Sequence, residues 1–305
     1  MIQGSLVPNI TIFDSDGSID EEKTSRHMDW MFRRGLDGLF LTGSYGAGPM
    51  MTVKERIRVF ELAAEVAGRY TGKTLLPHVG ALRTSEAVAL AVAAERLGAQ
   101  AVGAVPPFYY KFTENDVKQY YKAIIEAVHI PVFAYNNPAT SRFTFSVNLV
   151  RDLIEIGLAG LKDSPLNVGF LSRIAYETKQ SGTPFQIILG TSTGWLPFYY
   201  MGVRAMIAGM NNWAPEIITE LVRATTAGET ERAEQAYLVM SDLSSRMHFI
   251  DSTIVSHVGL YTRGFEAGYP RAPMQLPLRD DPVYEKVRGI IADGFDRLAM
   301  DMNND

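Results

Sequence analysis

Short apolar runs alternate with longer amphipathic stretches along most of this chain. The runs fall at residues 6–13, 38–42, 75–79, 101–105, 132–135, 160–162, 186–189 and 205–208. Near-continuous apolar runs bounded by glycine or polar turns predict strands buried on both faces, the habit of parallel sheets. The stretches between them, 20–34, 52–70, 84–97, 113–129, 146–156, 168–179, 195–201 and 215–226, predict helices. Met28, Met31 and Phe32 share one face of the first helix. Thr52 with Glu55 three residues on is a capping-box signature for the second. Eight strand–helix units without a break predict a closed (β/α)8 TIM barrel rather than an open doubly wound sheet. After Gly228 the alternation stops. Residues 229–247, 250–268 and 281–300 predict helices with no strands between them. The expected organisation is a barrel over 1–228 and a three-helix C-terminal extension over 229–305.

Composition narrows the class. The chain has 305 residues, 47% of them hydrophobic, enough for one large α/β core. Lys and Arg number 29 against 34 Asp and Glu, a formal charge of −5, which argues against nucleic acid or an anionic membrane as a partner. Cysteine is absent, so disulfide and thiolate chemistry do not enter, and a reducing cytoplasm is compatible. The first residues carry no basic-then-apolar leader, so no signal peptide is expected. The apolar stretch 87–105 is broken by Glu95 and Arg96, which excludes a membrane span there. His27, His78, His129, His248 and His257 are scattered without ligand spacing, so no metal site is expected.

In such a barrel, chemistry gathers at the carboxyl ends of the strands. The second strand is followed by Gly43-Ser44-Tyr45-Gly46-Ala47-Gly48-Pro49 and the fourth by Pro106-Pro107-Phe108-Tyr109-Tyr110. The fifth ends in Tyr135-Asn136-Asn137-Pro138, the sixth in Lys162-Asp163, the seventh in Gly190-Thr191-Ser192 and the eighth in Gly209-Met210-Asn211-Asn212. Lys162 closes an apolar run. A lysine buried there loses the hydration of its charged form, its pKa falls, and the free amine becomes a nucleophile toward carbonyls. The alternative is a lysine already solvated in the loop. The glycine-rich loop has neither Walker nor dinucleotide spacing. It can present backbone N–H groups to a carboxylate, or be a plain tight turn.

Together these residues make the chain similar to the dihydrodipicolinate synthase / N-acetylneuraminate lyase superfamily of Schiff-base-forming lyases. The resemblance spans residue 6 to about 277. It rests on the Gly43–Gly46 loop, Tyr109, Tyr135-Asn136-x-Pro138, Gly160-x-Lys162 and Asn212. Tyr109-Tyr110-Lys111, Tyr135-Asn136-Asn137-Pro138-Ala139, Gly46-Ala47-Gly48-Pro49 and Gly268-Tyr269-Pro270-Arg271 look most like the 2-keto-3-deoxy sugar acid aldolase branch.

The resemblance implies that Lys162 forms an imine with pyruvate or another 2-keto acid, with no cofactor. It implies that Tyr135 moves the protons, that Ser44 relays them, and that Tyr109 joins the relay from a neighbouring subunit. Backbone N–H groups at Ser44 and Tyr45 hold the carboxylate, Gly43 of the same loop belongs to the substrate site, and Gly190 and Ile207 line the pocket. It also implies a homotetramer built as a dimer of dimers. Departures bear on the substrate. Tyr45 puts a ring where a small residue is usual, Thr140 stands where the synthase has arginine, and Arg142 where sugar acid aldolases often have glycine. Tyr45, Thr140, Thr191 and Ser192 supply donors and acceptors for a sugar-derived partner. The expected activity is aldol cleavage of a 2-keto-3-deoxy sugar acid to pyruvate and an aldehyde. Synthase-type condensation, dehydration and N-acetylneuraminate lyase-like cleavage share the imine. A catalytically silent keto-acid binder is the non-enzymatic alternative.

Overall fold

Each apolar run forms a strand shorter than the run itself, because only its middle stays in the hydrogen-bonded ladder. The computed structural model describes residues 1–302. Its strands are β1 (Gly4–Val7), β2 (Gly38–Leu39), β3 (Thr74–Leu75), β4 (Val102–Ala104), β5 (Val132–Asn136), β6 (Gly160–Asp163), β7 (Gln186–Leu189) and β8 (Ala205–Ile207). They form one parallel sheet in the order β3-β2-β1-β8-β7-β6-β5-β4. The two ends of that order meet through a parallel bridge between His78 and Gly103, which closes the barrel. The helices outside are α1 (Glu21–Arg33), α2 (Val53–Ala67), α3 (Thr84–Arg96), α4 (Glu114–Ala127), α5 (Pro138–Ser141), α6 (Val147–Glu155), α7 (Val168–Ser181), α8 (Trp195–Tyr199) and α9 (Pro215–Ala227). Three more follow: α10 (Thr230–Arg246), α11 (Ser252–Thr262) and α12 (Val283–Arg297).

Alternation along the strands sorts residues into two cores. Leu6, Phe40, Leu76, Phe133, Tyr135, Ile188 and Ile207 fill the barrel interior. Val7, Leu39, Leu41, Leu75, Ala134, Leu161 and Ile187 face the helices. In register, Tyr135 pairs with Lys162 and Lys162 with Ile188, so these three stand side by side on the inner face. Gly160 makes room one layer below, since a Cβ there would lie 2.3 Å from the Phe133 ring and 2.3 Å from the Gln186 carbonyl oxygen.

The Thr52–Glu55 capping box starts α2, with Thr52 N–H donating to Glu55 at 2.7 Å. Differences from expectation lie at element ends. Phe13 leaves the first strand to form antiparallel bridges with Ile19 and Tyr269. Pro138 opens the short helix α5 rather than a plain turn, and Arg142 ends it in the left-handed region at φ 55°. The run 250–268 is helical only to Thr262; Gly264 at φ +77° turns the chain out of the helix. The extension packs α10 against α9 and α12, and α11 against α12 and the turn after β8. Residues 303–305, part of the expected extension, lie outside the described residues. No helix among the described residues is long and apolar enough to cross a membrane.

Candidate active site

A cavity of about 720 Å³ opens at the carboxyl ends of the strands. The amine of Lys162 lies at its floor, with only 3% of the residue exposed. Its Nζ sits 3.7 Å from the centre of the Phe40 ring and 3.8 Å from that of Tyr135. These ring faces favour an ammonium by about 0.5–2 kcal/mol. Loss of water opposes it and prevails: burial pushes the Lys162 pKa well below the ordinary lysine value. His78 completes the enclosure, edge-on to Tyr135 at 6.1 Å.

The orientation of His78 is fixed from two sides. Its Nε2 accepts from the Val105 N–H at 3.2 Å, so Nδ1 carries the proton and donates to the Thr42 carbonyl at 3.2 Å. Arg56, buried, reaches in from α2 and donates to the carbonyls of Gly80 and His78. Burial together with the Arg56 and Lys162 charges holds the imidazole neutral.

Tyr135 is buried, and burial raises its pKa above the usual phenol value. Its hydroxyl accepts from Asn137 Nδ2 at 3.1 Å and from Ser164 Oγ at 3.4 Å. Ser44, Tyr45, Thr140, Gly190, Thr191 and Ser192 line the same cavity. Gly190 has to lack a side chain, because a Cβ there would meet Ser164 Oγ at 2.3 Å.

Four expected site residues do not line the cavity of their own chain; for Tyr109 the expected place is a neighbour's site. Tyr109 is 78% exposed at φ 80°, stacks edge-on with Tyr110 and lies outside the cavity of its own chain. Gly43 backs the floor rather than the opening; a Cβ there would strike the Phe40 ring at 2.7 Å. Arg142 is exposed at the end of α5, where its backbone is left-handed, and it is not among the residues that line the cavity. Ile207 is buried in the barrel interior, not in the cavity wall.

The sequence reading missed Phe40, His78, Asn137 and Ser164, and every contribution of the extension: Ser244, Asp251, Ser252, Thr253 and Met274. For Phe40 and His78 the signal was present. Period-two alternation puts Leu6, Phe40 and Leu76 on one face, and His78 follows Leu76 by two. Among the described residues no three His, Asp or Glu side chains gather as a metal site.

A closed parallel barrel that delivers a buried lysine, with a tyrosine ring against it, to an open cavity at its strand ends has the architecture of a class I, Schiff-base lyase. The particular family follows from comparison with known proteins: the chain belongs to the Dihydrodipicolinate synthetase family, whose model matches residues 1–292. The 4-hydroxy-tetrahydrodipicolinate synthase of Thiobacillus denitrificans is 32% identical over 247 residues, 80% of this chain and 81% of that protein. The 2-dehydro-3-deoxy-D-gluconate/2-dehydro-3-deoxy-phosphogluconate aldolase of Thermoproteus tenax is 28% identical over 271 residues, 88% of this chain and 85% of that one. Among solved structures, CdNal from Clostridium difficile, in complex with mannosamine, superposes with a TM-score of 0.88 at 26% identity, covering 97% of this chain and 100% of that one. The protein is a lyase of this family.

Proposed function

We propose that this lyase cleaves a 2-keto-3-deoxy sugar acid reversibly to pyruvate and an aldehyde. The observation that carries the reading is the buried Lys162, its pKa pushed down by burial, set in register beside Tyr135 with its Nζ 3.8 Å from the centre of that ring. Lys162 adds to the C2 ketone, water leaves, and a protonated imine forms. Tyr135 takes the proton of the C4 hydroxyl as the C3–C4 bond breaks. The bond's electron pair moves into the imine to give an enamine, and the aldehyde departs. Protonation at C3 and hydrolysis then release pyruvate and the free amine.

A phenol with a raised pKa needs help to accept a proton near neutrality. Ser44, and Tyr109 from a neighbouring subunit, supply that relay in this reading, which fits the exposure of Tyr109 on its own chain. It assigns the chemistry to 1–228 and part of the cavity wall to 229–305. A dimer is then the least functional unit, pairing to a tetramer in the cytoplasm. The hydroxyls of Tyr45, Thr140, Thr191 and Ser192 in the wall favour a polyhydroxylated partner. Arg142, outside the cavity lining, supplies no cation for the carboxylate of aspartate semialdehyde. Condensation of the synthase type is the second reading, favoured by relatives of that name.

Borohydride reduction with pyruvate should leave its adduct on Lys162, and Lys162→Ala should lose both adduct and turnover. An adduct on another lysine removes the assignment. A direct comparison of kcat/KM for sugar acid cleavage and for condensation with aspartate semialdehyde decides between the two substrates.

A further inference from the structure

The far end of the cavity is built at the start of α11. Asp251, Ser252 and Thr253 line it, and Ser244 of α10 stands with them. A helix start is ordinarily an anion site, since its first N–H groups have no partner in the helix and the macrodipole is positive there. Here the helix supplies its own anion. Asp251 is the N-cap, and its Oδ1 accepts from the N–H groups of Thr253 at 2.8 Å and Ile254 at 3.4 Å. The cradle that a phosphate would need is therefore taken.

The remaining carboxylate oxygen, Oδ2, is not used by the cap. Ser252 and Tyr45 line the same cavity, and burial raises the pKa of the Tyr45 hydroxyl. Tyr45 in turn presses on Gly209, where a Cβ would lie 2.3 Å from the hydroxyl. The far wall thus presents one fixed carboxylate and a set of hydroxyls on rigid supports.

We propose that Asp251 is a specificity-determining residue: it accepts hydrogen bonds from the terminal hydroxyls of the substrate and excludes substrates that carry a phosphate at that end. This rests on the sugar acid reading above and restricts it to unphosphorylated polyhydroxy keto acids. A phosphate entering this end would meet a carboxylate, with the Thr253 and Ile254 N–H groups already bonded to that carboxylate, a repulsion that works through rejection rather than attraction. Hydroxyls donate to the same carboxylate in charge-assisted bonds.

Asp251→Asn separates charge from architecture, because asparagine caps helices about as well as aspartate. The expected wild-type kcat/KM for 2-keto-3-deoxygluconate exceeds that for its 6-phosphate by about a hundredfold. Asp251→Asn should shrink that ratio at least tenfold, mostly through a lower KM for the phosphate, with an unchanged melting temperature. Calorimetric binding of both compounds to Lys162→Ala, which cannot turn them over, reads the same preference without catalysis. Tighter or equal binding of the phosphate by wild-type architecture, no binding of either compound, or an unchanged ratio in Asp251→Asn overturns the proposal. The pyruvate–borohydride adduct is the control for the underlying reading. Loss of the adduct with the binding preference intact refutes the lyase assignment to Lys162 but leaves the role of Asp251 standing.

Discussion

The two ends of the cavity are made in different ways. The floor around Lys162 comes from barrel strands and the residues that immediately follow them: Phe40, His78, Tyr135 and Lys162, all buried and in ring contact. The far wall comes from loops and from the appended helices, and its groups are hydroxyls and one carboxylate, many of them exposed. Strand register fixes the floor. Moving Lys162 by one residue would turn it from the inner to the outer face. Loops and an added helical layer can change without disturbing that register. The contrast teaches that the bond-making chemistry and the choice of substrate are separable in this molecule.

Substitutions can break that separation or sharpen it. At the floor, Tyr135→Phe keeps the ring that touches Lys162 and removes the hydroxyl. Turnover should fall by roughly 10²–10⁴-fold, the usual size of an acid–base contribution, with the melting temperature little changed. Near-normal turnover would assign the proton to another group, Ser164 being the neighbour to test next. Mixed oligomers of Tyr109→Phe and Lys162→Ala subunits, each inactive alone, should recover part of the activity. No recovery after demonstrated subunit exchange would mean that each site is built from one chain.

At the far wall, Tyr45→Phe deletes one of the hydroxyls that line the cavity. A net neutral hydrogen bond is worth about 0.5–1.5 kcal/mol, so kcat/KM for the sugar acid should drop no more than about tenfold. The rate of pyruvate–borohydride trapping should not move. A parallel loss of trapping would show that the two ends are coupled after all.

The smallest effect concerns stability. The ammonium of Lys162 is disfavoured by burial, so its pKa in the folded chain lies below the unfolded value. Between those two values the unfolded chain holds a proton that the folded chain lacks, and stability rises with pH. The penalty is complete below the folded-state value and gone above about 10.4. Lys162→Met should therefore melt higher than wild type at neutral pH, and the gain should shrink as pH approaches about 10. A constant difference across that range would mean that packing, not charge, sets it.

Much of the barrel was legible because a parallel sheet buried on both faces writes itself as apolar runs, and because caps are local. Thr52, Thr113 and Ser146 each cap the helix that follows. Lys162 was legible for the same reason, as a charge at the end of an apolar run. What could not be read depends on contacts distant in sequence. Arg142 stands off the cavity lining, at the left-handed end of the short helix α5, which no periodicity announces. The α11 wall was hidden inside a longer helical run, although Asp251-Ser252-Thr253 is a legible N-cap sequence. The Arg56–His78 contact joins α2 to the β3 end, 22 positions apart, and only closure of the barrel brings it together.

The contact between Tyr45 and Gly209 also constrains how such a sequence can drift. With 2.3 Å between the hydroxyl and the place of a Cβ, a side chain at 209 requires the phenol of Tyr45 to move or be replaced. A smaller residue at 45 opens the space for a side chain at 209, and return of the tyrosine calls for glycine at 209 again. The order of changes at the two positions is therefore coupled, which ties the β2 loop to the end of β8.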